Sequence, residues 1–152
     1  MTQCQLYLIS PLDVGGAFPD RLARALDAGP VAAFQLRVKD VDEHQAARLA
    51  EPLQALCAAR DVAFIVNDSI SLAKRIGADG VHLGQDDGTV AEARQRLGRE
   101  AQIGVTCHNS RHLAMEAGEA GAAQIQSVNN RSGAERENRA CGLRQQSIRV
   151  HA

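Results

Sequence analysis

Tryptophan is absent from this chain of 152 residues, tyrosine occurs once and phenylalanine three times, so the core must be packed almost entirely from aliphatic side chains. An excess of one charge is also missing: 17 Lys and Arg face 18 Asp and Glu, for a formal net charge of −1. No global basic field therefore recruits nucleic acid or an acidic membrane, and a small, locally charged ligand fits better. No apolar run approaches the roughly 20 residues of a membrane span. The opening Met-Thr-Gln-Cys-Gln-Leu-Tyr lacks the charged and apolar regions of a secretory signal, which points to the cytoplasm. Cys4, Cys57, Cys107 and Cys141 are far apart and form no Cys-x-x-Cys pair. That spacing argues against a zinc site or redox motif and predicts reduced structural thiols. Nor is there a Gly-x-x-x-x-Gly-Lys-Ser loop, a Gly-x-Gly-x-x-Gly fingerprint or a Ser-His-Asp constellation. His108 and His112 are four apart but lack the glutamate of the His-Glu-x-x-His pattern.

What is present is a strict alternation of two periodicities, in a chain long enough for one domain. Apolar and β-branched runs at Leu6 to Ile9, Val31 to Leu36, Val62 to Val66, Gly80 to Leu83 and Gln102 to Val105 predict five strands. Between them, Phe18, Leu22, Ala25 and Leu26 form one helical stripe, and Ala46, Leu49, Ala50, Leu53, Leu56 and Cys57 form a second. Pro52 predicts a kink in the second helix. Asp42 with Gln45 and Thr89 with Glu92 resemble capping boxes, and Ser110 can cap a fifth helix. Five βα units in alternation predict an α/β protein with a parallel sheet, either an open doubly wound sheet or part of a (β/α)₈ barrel. Both architectures place functional groups at the carboxyl ends of the strands.

Those ends are polar. The second strand runs into Gln35-Leu36-Arg37-Val38-Lys39-Asp40, the third into Asn67-Asp68, the fourth into Gln85-Asp86-Asp87 and the fifth into Thr106-Cys107-His108-Asn109. Arg37 and Lys39, two apart, repel one another unless an anion joins them, and a phosphate or diphosphate suits a guanidinium fork beside a mobile ammonium. Pairing with Asp40 or other rim acids is the alternative. Asp68 and Asp87 would face the same space if their strands are parallel neighbours, as the strand, helix, strand order implies. Magnesium commonly takes one or two protein carboxylates and completes its shell with water and phosphate oxygens, so the set reads as a Mg²⁺-diphosphate site. Asp68 could instead cap the helix beginning near Ser69, whereas for Asp87 that role is open to Thr89. Asn67 and Gln35 suit the orientation of a polar heterocycle or phosphate, or satisfaction by backbone.

Taken together, Leu6-Tyr7-Leu8-Ile9, Gln35 to Asp40, Phe64-Ile65-Val66-Asn67-Asp68, Gly77 to Asp87 and Ile103 to His108 resemble thiamine phosphate synthase in order and spacing over residues 4–122. The resemblance implies a (β/α)₈ TIM-type barrel that joins a hydroxymethylpyrimidine diphosphate to a thiazole phosphate, forming thiamine phosphate and pyrophosphate with Mg²⁺. It implies that Gln35, Arg37, Lys39 and Asn67 hold the pyrimidine diphosphate, with Arg37 and Lys39 acting catalytically on its phosphates. Thr106 would contact the pyrimidine, and Asp68 and Asp87 would bind Mg²⁺. The related thiazole tautomerases do not need these carboxylates.

After Ala122 the match ends. Residues 123–152 show no helical stripe, Gln124 to Val128 offer at most a poor strand, and a whole barrel of this type needs at least about 200 residues. The expectation is a partial barrel of about five βα units over 1–122, followed by an irregular, replaced or out-of-frame tail. Edges at strands one and five, with an apolar inner face exposed to water, would favour pairing with another chain, including a homo-oligomer. A non-catalytic fragment that binds phosphate ligands is the rival from another functional class.

Overall fold

A computed structural model describes residues 5–108 and 110–126. The elements alternate as β1 (Leu6–Ile9), α1 (Phe18–Asp27), β2 (Val31–Leu36), α2 (Glu43–Ala58), β3 (Ala63–Asn67), α3 (Ile70–Ile76), β4 (Gly80–Leu83), α4 (Val90–Leu97), β5 (Gln102–Thr106), α5 (Arg111–Glu119) and β6 (Gln124–Gln126). The helix starts follow local chemistry. Asp42, Ser69, Thr89 and Ser110 each accept a backbone N–H three residues on, from Gln45, Leu72, Glu92 and Leu113, which satisfies a donor the helix itself cannot. Helix α2 is continuous through Pro52, although the ring removes one N–H from its ladder.

The six strands are all parallel and ordered β1-β2-β3-β4-β5-β6. This order decides between the two architectures left open by the sequence. A doubly wound sheet reverses its strand order at a switch point, whereas right-handed crossovers in unbroken order lay every helix on one face and curl the sheet around the other. The described residues therefore form the greater part of a (β/α)₈ wall.

The register shows what each face carries. Phe34, Phe64, Val66, Val81, Leu83 and Ile103 alternate towards the helices and are buried. The three phenylalanines of the chain meet there, with ring centroids of Phe18 and Phe34 6.3 Å apart and of Phe34 and Phe64 5.7 Å apart. Such tilted pairs contribute about 1 kcal/mol each beyond the area they bury. The concave face carries Tyr7, Ala33, Gln35, Ile65, Asn67, His82, Gly104, Thr106 and Gln124. This corrects the expectation of an apolar inner face: the positions opposite the helix-facing residues are largely polar or small.

The far edge also differs from expectation. Gln124–Gln126 pairs with β5, so β5 is internal, and among the described residues the one-sided strands are β1 and β6. Ile125 supplies the apolar contact that makes so polar a segment a strand, packing against the helix-side core. The expected irregular tail lies, from residue 127 on, outside the described residues.

Candidate active site

The carboxyl end of β3 sets the centre of the site. Asp68 has φ 66°, in the left-handed region, and the N–H of Ser69 donates to the carbonyl of Asn67 at 2.8 Å across it. A three-residue turn of this hand is rare and strained, and aspartate is among the few residues that tolerate it. The Asp68 N–H meanwhile donates to the carbonyl of His82 at 2.8 Å, tying the turn to β4. Ser69, not Asp68, caps α3, so the capping alternative for Asp68 does not hold and its carboxyl remains for the rim.

Asp87 reaches the same place from β4. Its Oδ2 accepts the N–H of Gly84 at 2.8 Å. A Cβ on residue 84 would stand 2.5 Å from that oxygen, so glycine is what lets the carboxylate fold back over its own loop. Thr89 caps α4, as the sequence suggested. Burial first, then a hydrogen bond with the Asp87 carboxyl and that group's negative charge, push the Asp68 carboxyl above the usual range, while Lys39 and Arg37 pull it back. Asp68, Asp87, Lys39 and Arg37 thus lie within electrostatic reach of one another.

The cations come from the end of β2, held by β1. Ser10 is buried, and its Oγ accepts the Arg37 N–H at 2.8 Å while its own N–H donates to the Gln35 carbonyl at 2.9 Å. Arg37 is half-buried and Lys39 exposed. Among the described residues neither is in an ion pair with a carboxylate within 4.0 Å, so the alternative of pairing with Asp40 is not realised.

Along the concave floor, Gln35 is buried and donates through Nε2 to the Tyr7 hydroxyl at 3.3 Å. Burial pushes that phenol up to about 12, against the pull of Gln35. Asn67 is half-buried beside His82 in the register, and the hydroxyl of Thr106, at the end of β5, lies 2.7 Å from His82 Nε2. Cys57 and Cys107 are free and buried. Burial foremost raises both thiols, Cys57 to about 11, so neither is a nucleophile at neutral pH. Cys4 and Cys141 lie outside the described residues.

The arrangement suits an anion with a divalent cation. Two carboxyl groups forced together hold a proton between them unless a cation replaces it. Among the described residues no cluster of three or more His, Cys, Asp or Glu could enclose a metal. A pair fits an ion that draws its remaining ligands from water and phosphate.

The sequence model of the family described as "Thiamine monophosphate synthase" matches residues 6–129. The chain belongs to that family. The protein named Thiamine-phosphate synthase from Erythrobacter litoralis is 78% identical over 120 residues, covering 78% of this chain and 56% of that protein. Its namesake from Rhodospirillum centenum is 56% identical over 123 residues, covering 80% and 59% respectively. This chain therefore spans little more than half the length of those relatives. Among solved structures, a thiamine phosphate pyrophosphorylase from Pyrococcus furiosus superposes with TM-score 0.72 at 26% identity, covering 82% of this chain and 60% of the other. A putative fructose-1,6-biphosphate aldolase from Coccidioides immitis reaches TM-score 0.62 at 15% identity, covering 82% and 51%, and shares the fold.

Within this thiamine monophosphate synthase family member, the structure brings Arg37, Lys39, Asp68 and Asp87 together at the rim and sets Gln35, Asn67 and Thr106 on the concave side below. Sequence reasoning overlooked Ser10, Tyr7, Gly84, His82 and Gly104. For His82 a signal existed: a polar residue interrupting an apolar strand marks the face that is not packed on helices.

Proposed function

We propose that this chain forms the pyrimidine-diphosphate side of a thiamine phosphate synthase site, a cytoplasmic transferase that uses Mg²⁺. The observation that carries this is the convergence of Arg37 and Lys39, which among the described residues have no carboxylate within ion-pair distance, on the abutting carboxyl groups of Asp68 and Asp87. The same carboxyl pair favours the synthase over a thiazole tautomerase, which has no need of it.

In this reading Asp68 and Asp87 hold Mg²⁺, which when bound neutralises charge on the diphosphate. Arg37 and Lys39 bind the phosphates from the β2 side, and Gln35, Asn67 and Thr106 orient the pyrimidine. The bond between the pyrimidine methylene and the diphosphate oxygen breaks with its electron pair leaving on pyrophosphate. Arg37 and Lys39 stabilise that accumulating charge where it develops. The thiazole nitrogen then supplies the electron pair of the new C–N bond, a step that needs positioning rather than a protein nucleophile.

Titration calorimetry of this chain with the pyrimidine diphosphate, with and without Mg²⁺, is the test. Binding that requires Mg²⁺ and falls at least tenfold in Asp87→Ala is the expected result, and Mg²⁺-independent affinity unaltered by that substitution would sink the metal assignment. An assay for thiamine phosphate with both substrates then separates catalyst from binder: Mg²⁺-dependent binding without product would identify a binding fragment.

A further inference from the structure

His82 lies mid-strand in β4 with its ring on the concave face, between Asn67 of β3 and Gly104 of β5 in the register, and only 4% of its surface is exposed. Its Nε2 lies 2.7 Å from Thr106 Oγ1. Its Nδ1 is buried without a hydrogen-bond partner among the described residues. A Cβ on Gly104 would stand 2.5 Å from that nitrogen and 3.4 Å from Gln124 Oε1, so glycine at 104 makes the room in which the ring sits. An imidazolium would bury a charged N–H at Nδ1 with no acceptor, so the enclosure favours a neutral ring with one N–H.

Two tautomers are available to a neutral ring. With the proton on Nδ1, a buried N–H is orphaned and Thr106 must give its own proton to Nε2, turning only lone pairs to the cleft. With the proton on Nε2, the orphan is an acceptor, the milder defect. The Thr106 hydroxyl oxygen then accepts from the ring and its proton is left over.

We propose that His82 is a positioning residue for Thr106: protonated on Nε2, it donates to the hydroxyl oxygen and so directs the Thr106 proton towards an acceptor on the bound ligand. The ligand, the pyrimidine diphosphate, is taken from the function proposed above; the tautomer is independent of it. The test is ¹⁵N-detected imidazole NMR on the full chain, with the His82 signals assigned by substituting the other four histidines in turn. An Nε2–H tautomer that persists in Thr106→Ser and loses its preference in Thr106→Val supports the proposal. An Nδ1–H tautomer, or one indifferent to Thr106→Val, overturns it. In calorimetry, His82→Phe and Thr106→Val should each weaken pyrimidine diphosphate binding by about tenfold, the worth of one well-placed hydrogen bond. The double variant should lose no more than either alone, and additive losses would count against coupling through the hydroxyl. If the unsubstituted chain binds no pyrimidine diphosphate, the synthase reading fails while the tautomer still decides the role of His82.

Discussion

Asp68 combines two unfavourable conditions at one residue, a left-handed backbone and a carboxyl packed against another carboxyl. The first costs on the order of 1 kcal/mol or more; the second shows in pH dependence. Because the folded protein holds the Asp68 proton more tightly than the unfolded chain, the contribution is present below the ordinary carboxylate range near pH 4 and is lost as pH rises through the raised folded value. Asp68→Asn keeps a residue that tolerates the turn and removes the titration. In metal-free buffer, the stability advantage of Asp68→Asn should therefore grow from about pH 4 upward, as measured by urea midpoints, and parallel curves would refute this. Gly84→Ala tests the partner carboxylate. It should cost under about 1 kcal/mol, since a flexible side-chain end can move aside, yet weaken Mg²⁺-dependent diphosphate binding several-fold, read by calorimetry. Both carboxylates were legible in the sequence because each follows an apolar run. Which of Asp68 and Ser69 caps the helix was not: both residue types cap well, and what separates them is the left-handed φ of Asp68 and the Leu72 N–H that Ser69 Oγ accepts.

At the scale of elements, β1, β2 and β4 run as the sequence indicates, whereas β3 begins one residue later, at Ala63, and β3 and β5 each end one residue further, at Asn67 and Thr106. The shift has a cause. Apolar residues mark the helix-packed face, so a polar residue that closes the ladder on the concave face reads as loop. For the same reason β6, with one Ile between two Gln, is nearly invisible in sequence. Helix α3 is only seven residues long, too short to be stable by propensity, and it depends on its cap and on buried Ile70, Leu72 and Ala73. Ser69→Ala should cost about 1 kcal/mol in chemical denaturation. It should also weaken Mg²⁺-dependent binding, because the cap anchors the turn that presents Asp68; full retention of binding would show that β4 alone holds that turn.

For the whole molecule, the barrel was one of two architectures compatible with the sequence, and strand order chose it, a property no single segment encodes. Among the described residues the sheet has two one-sided strands, and β1 exposes about half of Leu6 and Ile9, at 52% and 48%. Ile9→Lys should reduce light scattering at micromolar concentration with little loss of stability, since edge lysines discourage strand pairing; undiminished association would place the sticky surface elsewhere.

The unbroken strand order also bears on how the chain comes to be folded. Every strand pairs with the one made just before it, so no described pairing waits for a distant part of the sequence, and contacts stay local for a parallel sheet. On a ribosome, each βα unit can dock as it emerges on the unit already there. The cations of β2 would be in place first, the carboxylates of β3 and β4 next, and Thr106 last, so the pocket is assembled in the order in which it is translated.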